Sequence, residues 1–309
     1  MLLVRLDGIG DAAVCVPLVA ALREAGHEVG IASTTRNAGL FVRDALVEEH
    51  VLERIPWPAH GSTPDSTARA VDEIASTKYD VALIASEEPE AYALAAPVKV
   101  RVGFTTGWSR PLKSLWVRFQ TTRTISRSQQ PGGEDEHEVE VLFRLADGLT
   151  PRTEPPAEIA MLAPLLVAQR STARAGVLLQ AGPKWQVSGV PDATLRAAVE
   201  RLAPRGLRIV AAPGDVDLVS GALGVVPETF GDLRSWVAAI DAAAAVVTVD
   251  TGAAHVAGML GVPVVDVFPD ANFDAEVRRW RPWASPYRAL RASEMHAETS
   301  RLAAAVDGG

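Results

Sequence analysis

The chain has 309 residues, 48% of them hydrophobic and 22% charged, which excludes wholesale disorder and is enough chain for two α/β domains. A formal charge of −8 speaks against a general nucleic-acid binder, because such proteins present a basic surface. Cys15 is the single cysteine, so an intramolecular disulfide and a cysteine-rich metal site are both excluded, and no segment reaches the roughly 18 apolar residues of a membrane span. A first strand that starts at Met1, with no basic leader before it, points to a cytoplasmic protein.

In chain order, LLVRL (2–6), HEVGIAS (27–33), HVLERIP (50–56), VALIAS (81–86) and VKVRVGF (98–104) read as strands. Between them lie Ala-rich stretches such as VPLVAALREAG, with apolar residues at helical spacing, and this alternation predicts βαβ units and a parallel sheet. From Ala91 to Gly133 there is no Asp or Glu, while Lys99, Arg101, Arg110, Lys113, Arg118, Arg123 and Arg127 fall there, interleaved with Trp108, Trp116 and Phe119. EDEHEVEVLFRLADGL (134–149) then reads as an acidic-started helix ending at Gly148, and the proline-rich PRTEPPAEIAMLAP as a linker.

The pattern restarts in the second half. AGVLLQA (175–181), LRIVAAP (207–213), AAVVTVD (244–250) and VPVVDVF (262–268) are predicted strands; PDATLRAAVERLA, LRSWVAAIDAA and TGAAHVAGMLG are predicted helices, with a last helix over 294–306. The division expected is an N-terminal domain over 1–150, a linker over 151–174 and a C-terminal domain over 175–309. Two doubly wound domains would bind ligands at the carboxyl ends of their strands.

Four stretches are candidate sites. In LDGIGDAAV the run Gly8-x-Gly10-x-x-Ala13 nearly spells a dinucleotide fingerprint. No acid ends the second strand to hold a ribose, and Asp11 stands where a pyrophosphate would sit. That leaves two readings of Asp11, a helix cap or a general base, with Gly8 and Gly10 permitting close approach of substrate. In VVTVDTGAAHVAG, Asp250 ends a strand, Thr251 and Gly252 open a helix suited to a diphosphate, and His255 lies one turn on; taken alone, the stretch reads rather as a capped helix with a satisfied histidine. QAGPKWQVSG presents Lys184 either as a counter-charge to phosphate or, as the stretch alone favours, as a solvated surface lysine. Asp215 and Asp217 form a D-x-D, for which a helix start is the expected reading and a metal site the less expected one. The basic, aromatic segment, with Arg110 and Lys113 at its centre, suits an anionic acceptor; its bland reading is a basic loop that balances acidic neighbours. Single-stranded nucleic acid is set aside on overall charge.

Taken together, VRLDGIGDAAVCVPL, QAGPKW, FGDLRSWVAAI, VDTGAAHVAGMLGVPVV and the HEVEVLFRLADGL helix make the chain resemble the ADP-heptose:lipopolysaccharide heptosyltransferases, glycosyltransferase family 9. The resemblance implies a GT-B fold, two Rossmann-like doubly wound domains facing across a cleft, with acceptor on the first and nucleotide-sugar on the second. It implies inverting transfer of a sugar from an ADP-sugar co-substrate to a hydroxyl, without a metal or other cofactor. Asp11 would be the general base, Lys184 would neutralise the leaving diphosphate, and Asp250 would hold donor sugar hydroxyls. Thr251, Gly252 and His255 would surround the phosphates, and Asp215 or Asp217 would reach the ribose. The acceptor is expected to be a lipopolysaccharide core, another glycan or a small natural product, with peripheral membrane contact as a partner. The chain departs from the family pattern at Ala181, Gly182 and Pro183, where the family often has Ser or Thr touching phosphate. The rivals are a non-catalytic binder of sugar nucleotides or glycans that keeps the fold, and an NAD-dependent nucleotide-sugar epimerase.

Overall fold

The structure, a computed structural model, describes residues 1–54, 62–127 and 136–297. The chain divides into two compact units, Met1–Pro156 and Ala157–Gly309.

The first unit is built on six parallel strands, β1 (Leu2–Val4), β2 (Gly30–Thr34), β3 (Glu49–Leu52), β4 (Val81–Ile84), β5 (Val100–Thr105) and β6 (Arg123–Ser126), in the order β3-β2-β1-β4-β5-β6. The central strands are apolar on both faces because helices cover both: Leu2, Val4, Ala82 and Ile84 pack with Ile74, Leu94 and Val117 in one core cluster. Its helices are α1 (Ile9–Ala13), α2 (Val16–Glu24), α3 (Pro64–Thr77), α4 (Pro89–Ala95), α5 (Pro111–Gln120) and α6 (Glu138–Phe143). The sixth strand has no counterpart among the predicted ones, for RTIS is a partly exposed edge without apolar alternation. The helix predicted over 134–149 is shorter: residues 134 and 135 lie outside the described ones, and α6 starts at a capping box. There His137 Nδ1 accepts from Val139 N–H at 3.1 Å and Glu140 accepts from His137 N–H at 2.8 Å.

The second unit has five parallel strands, β7 (Val177–Gln180), β8 (Leu207–Val210), β9 (Ala245–Val249), β10 (Val264–Phe268) and β11 (Tyr287–Arg291), in the order β11-β10-β9-β7-β8. Its helices are α7 (Ile159–Leu162), α8 (Lys184–Val187), α9 (Asp192–Leu202), α10 (Val216–Leu223), α11 (Leu233–Asp241), α12 (Gly252–Leu260), α13 (Phe273–Trp280) and α14 (Ala292–Ala297). The edge strand β11 was not predicted either, since YRALR is polar and half exposed. Of the helix predicted over 294–306, α14 holds the beginning and residues from 298 onward lie outside the described ones.

The unit boundary falls inside the predicted linker, and the linker's remainder is built into the second unit. α7 packs on α12, where Gly261 closes that helix at φ +66°. A Cβ at Gly261 would come within 2.9 Å of Ile159. Farther on, Asp241 gathers Arg170 Nε at 3.0 Å and Arg174 Nη2 at 3.1 Å. Apolar Leu162, Leu165 and Leu166 are buried, so this stretch behaves as core despite its prolines.

Both strand orders are those of doubly wound sheets, and each has one place where the direction of winding reverses. In the first unit it lies between β1 and β4, in the second between β7 and β9. Loops leaving the carboxyl ends of those strands splay apart there and leave room for a ligand.

Candidate active site

At the first unit's reversal point the chain has spent its charges. Arg5, the residue after β1, is buried, and its guanidinium donates to the Ala85 carbonyl beyond β4. The same fork donates to Asp11 Oδ1 at 2.7 Å, and its Nε lies 3.2 Å from Asp7 Oδ2. Ser86 Oγ accepts from Leu6 N–H at 2.7 Å and donates to Asp7 at 2.5 Å. Asp11 is therefore not the cap of α1. Gly8 is, and Asp11 stands in the first turn, where its Oδ2 accepts from Gly8 N–H at 3.1 Å. A Cβ at Gly8 would sit 3.3 Å from that oxygen, so glycine keeps the carboxylate's surroundings open. Gly10 lies inside α1. The Asp11 side chain keeps 34% of its surface exposed, so it serves the turn and still faces outward. Cys15, beneath it, is no nucleophile, because burial pushes its thiol up to about 12.

The basic segment is far less free than its composition suggests. Lys113 is bonded to Glu87, the second residue past Ala85, and Arg127 reaches both Glu87 at 3.1 Å and the fully buried Glu138 at 2.6 Å. Burial would raise the pKa of Glu87; Lys113, Arg127 and Arg110 more than offset it and hold it below the usual carboxylate range. Arg123 is paired with Asp147, and Arg101 donates to the backbone carbonyls of Val98 and Gln120. These contacts are the ones the balancing-loop reading expects. Arg110 and Arg118 are exposed.

The second unit's reversal point brings together the residues of two of the candidate stretches. Lys184 starts the single-turn helix α8 just past β7, and Asp250 follows β9; Lys184 Nζ donates to the Asp250 carbonyl and to its Oδ2, the latter at 3.0 Å. The turn is anchored by Trp185, which is buried and donates its indole N–H to Gln180 O at 2.7 Å, leaving Lys184 half exposed. His255 Nε2 lies 3.4 Å from Asp250 Oδ1, with Trp280 edge-on to its ring at 5.9 Å. Burial alone would raise the pKa of Asp250, but His255 and Lys184 outweigh it and hold it below the ordinary carboxylate value. Thr251 caps α12, accepting from Ala253 N–H at 3.3 Å and sharing a hydrogen bond with Thr248 at 2.8 Å; Gly252 is the first helical residue. The first-turn N–H groups and the helix dipole thus meet a lysine and an ionised aspartate at one place.

The D-x-D divides. Asp215 caps α10, and its Oδ2 lies 3.5 Å from where a Cβ of Gly182 would be, beside the Lys184 turn; Asp217, in the first turn of α10, is exposed. Both fit the helix-start reading, and among the described residues no three His, Cys, Asp or Glu side chains group closely enough to hold a metal ion.

One residue at this site escaped the sequence reading. Asp266, in the middle of β10, is fully buried with neither carboxylate oxygen bonded, and the signal was a lone acid within VPVVDVF. Burial, and after it the charge of Asp250, raise its pKa well above 3.8, with Lys184 opposing. A raised native pKa gives stability that is fullest below the unfolded-state value and is lost as pH rises toward the native one. Wild-type protein should therefore lose up to about 1.4 kcal/mol per pH unit, relative to Asp266→Asn, as pH climbs above the ordinary carboxylate value. Denaturant unfolding of both proteins at several pH values checks this, and parallel stability curves would refute it.

Against this geometry, known proteins compare as follows. The family model described as glycosyltransferase family 9 (heptosyltransferase) matches residues 218–305, a segment that holds Asp250, Thr251, Gly252, His255 and Asp266 and leaves out Asp11 and Lys184. Among curated proteins no sequence matches the chain. Among solved structures, the E. coli heptosyltransferase WaaC with ADP-2-deoxy-2-fluoro heptose is 19% identical with a TM-score of 0.70, covering 97% of each chain. E. coli ADP-heptose lps heptosyltransferase II is 14% identical with a TM-score of 0.66, over 99% of this chain and 97% of that one. A glycosyl transferase family 9 protein from Veillonella parvula is 15% identical with a TM-score of 0.68, over 97% and 88%. At these identities the likeness is one of fold: two Rossmann-like units, the GT-B architecture.

Proposed function

We propose that this chain, which matches the glycosyltransferase family 9 model over residues 218–305 and has the GT-B fold throughout, is a member of that family and moves a heptose or closely related sugar from an ADP-sugar to an acceptor hydroxyl, with inversion and without a metal ion. The observation that carries this reading is the meeting of Lys184, Asp250 and His255 over the N-terminus of α12. WaaC was solved with ADP and with a fluorinated ADP-heptose, which supports the same donor class here.

The second unit takes the donor. The Lys184 ammonium and the N–H groups at Thr251 and Gly252 receive the diphosphate, so the charge that develops on departure is met without a cation from solution. Asp250, ionised, accepts hydrogen bonds from sugar hydroxyls, and His255 adds a donor beside the phosphates. Asp215, next to Gly182, is the acid for the ribose, and Asp217 is not. The first unit takes the acceptor, by Gly8 and Gly10 at the α1 turn and by Arg110 for an anionic group, Lys113 being held by Glu87. In the transfer step Asp11 takes the proton of the acceptor hydroxyl as that oxygen bonds to the anomeric carbon. The bond from that carbon to the diphosphate oxygen breaks on the opposite side, and its electron pair leaves with ADP.

A thermal-shift panel of ADP, UDP, GDP and ADP-heptose tests the assignment. ADP and ADP-heptose should raise the melting temperature selectively, with about 2.7 kcal/mol of added stability at a hundredfold excess over Kd. Indifference to every nucleotide would sink the reading.

A further inference from the structure

α5 is turned inside out for a helix on a soluble sheet. Its sheet-facing residues are Ser114 and Val117, both buried, and Ser114 Oγ is tied to the Gly107 carbonyl at 3.0 Å. Four of the outward positions are large and apolar: Leu112 is 83% exposed, Leu115 53%, Trp116 36% and Phe119 76%. Spaced i, i+3, i+4 and i+7, they form one continuous stripe. Trp108, in the 3-10 turn that leads into the helix, extends it and is 94% exposed. Scattered exposed apolar residues are ordinary, but five large ones on a twelve-residue segment are not.

The charges around the stripe say what covers it. Arg110 stands at the start of α5 and Arg118 in its last turn, both exposed, and Lys99 is exposed at the foot of β5. The segment 91–133 contains no acid at all in a protein whose formal charge is −8. The carboxylates that answer its other cations, Glu87, Glu138 and Asp147, come from outside the segment.

We propose that α5 and the Trp108 turn dock on an anionic lipid bilayer, the stripe entering the headgroup boundary and Arg118 and Lys99 meeting lipid phosphates. No helix among the described residues is long and apolar enough to cross a membrane, so this contact lies in the plane of the surface. A tryptophan at the rim of such a helix, with aliphatic and phenyl side chains beneath and arginines at the edge, is the arrangement that interface selects. A second copy of the chain fits less well, because a two-fold contact through this face would set like charges against each other. Single-stranded nucleic acid fits less well too, since Leu112 and Leu115 offer bases nothing to stack on.

The test is vesicle flotation of the full chain, with vesicles of phosphatidylcholine alone and of phosphatidylcholine mixed with phosphatidylglycerol. The wild-type protein should float with the mixed vesicles, less so at high salt, and remain behind with phosphatidylcholine alone. Because withdrawing one large side chain from water is worth about tenfold in partitioning, Trp108→Ser/Leu112→Ser/Phe119→Ser should lose well over tenfold. These side chains are exposed, so the melting temperature of the triple variant should match wild type, and Arg118→Glu should weaken flotation at unchanged fold. The proposal is overturned if the wild-type protein floats with neither vesicle, or equally with both, or if the triple variant floats undiminished. It is equally overturned if sedimentation velocity shows a dimer that the triple variant dissolves, or if an oligonucleotide rather than the vesicle needs these residues.

Discussion

Asp11→Asn should lower kcat by about 10²–10⁴-fold while the affinity for ADP stays within about twofold of wild type. The amide keeps the shape of the side chain but has one accepting oxygen where the carboxylate has two. Arg5 Nη2 and Gly8 N–H both donate to Asp11, so one of them is left facing an amide N–H. That loss costs stability as well, about 1–3 kcal/mol, so turnover is to be compared well below the melting transition. Asp7→Asn is the control. It disturbs the same guanidinium, at 3.2 Å, and leaves Asp11 in place, so its effect on kcat should be much smaller. If the two variants were equally damaging, both would be acting through the Arg5 network, and the assignment of Asp11 as the base would fail.

How far the sequence reveals this molecule follows from which interactions are local. The buried strands are legible because VALI and AVVTV need no knowledge of their neighbours to be recognised as apolar runs. The edge strands RTIS and YRALR are not, because pairing with β5 and β10 makes them strands, and nothing in their own side chains does. Within each candidate site the same division holds. Thr251 before Gly252 announces a capped helix from two adjacent residues. The contact of Lys184 with Asp250 joins residues 66 apart, and Arg5 meets Ala85 across 80; only the strand order brings them together. Composition misled where partners lay outside the window inspected. Lys113, Arg123 and Arg127 look like free cations within an acid-free segment, yet Glu87, Asp147 and Glu138 flank that segment in sequence and close over it in the fold. Asp266 is the converse, an acid that periodicity places in a strand but that only burial on every side shows to be without a hydrogen-bond partner.

Lys184→Ala should reduce kcat/KM by about 10²–10³-fold, with much of the loss appearing as weaker binding of ADP, while leaving the fold nearly as stable as before. The two halves of that statement come from the same geometry. Lys184 is 49% exposed, so its ion pair with Asp250 is largely screened by water and worth no more than about 1 kcal/mol to folding. Trp185, buried and bonded to Gln180 O, holds the turn whether or not the lysine is there. Asp250 stays ionised in the variant, because His255, whose hydrogen bond to it acts more strongly than the lysine's charge, remains. What the variant loses is the ammonium facing the first turn of α12, the positive charge that a departing diphosphate would meet. Lys184→Arg keeps the charge but replaces a compact ammonium by a planar fork, so it should recover ADP binding better than turnover. Titration calorimetry with ADP, steady-state kinetics and thermal melts on the three proteins separate the outcomes. A fall in melting temperature of many degrees with undiminished ADP affinity would make the pair a structural tie, and the donor site would have to be sought elsewhere in the second unit.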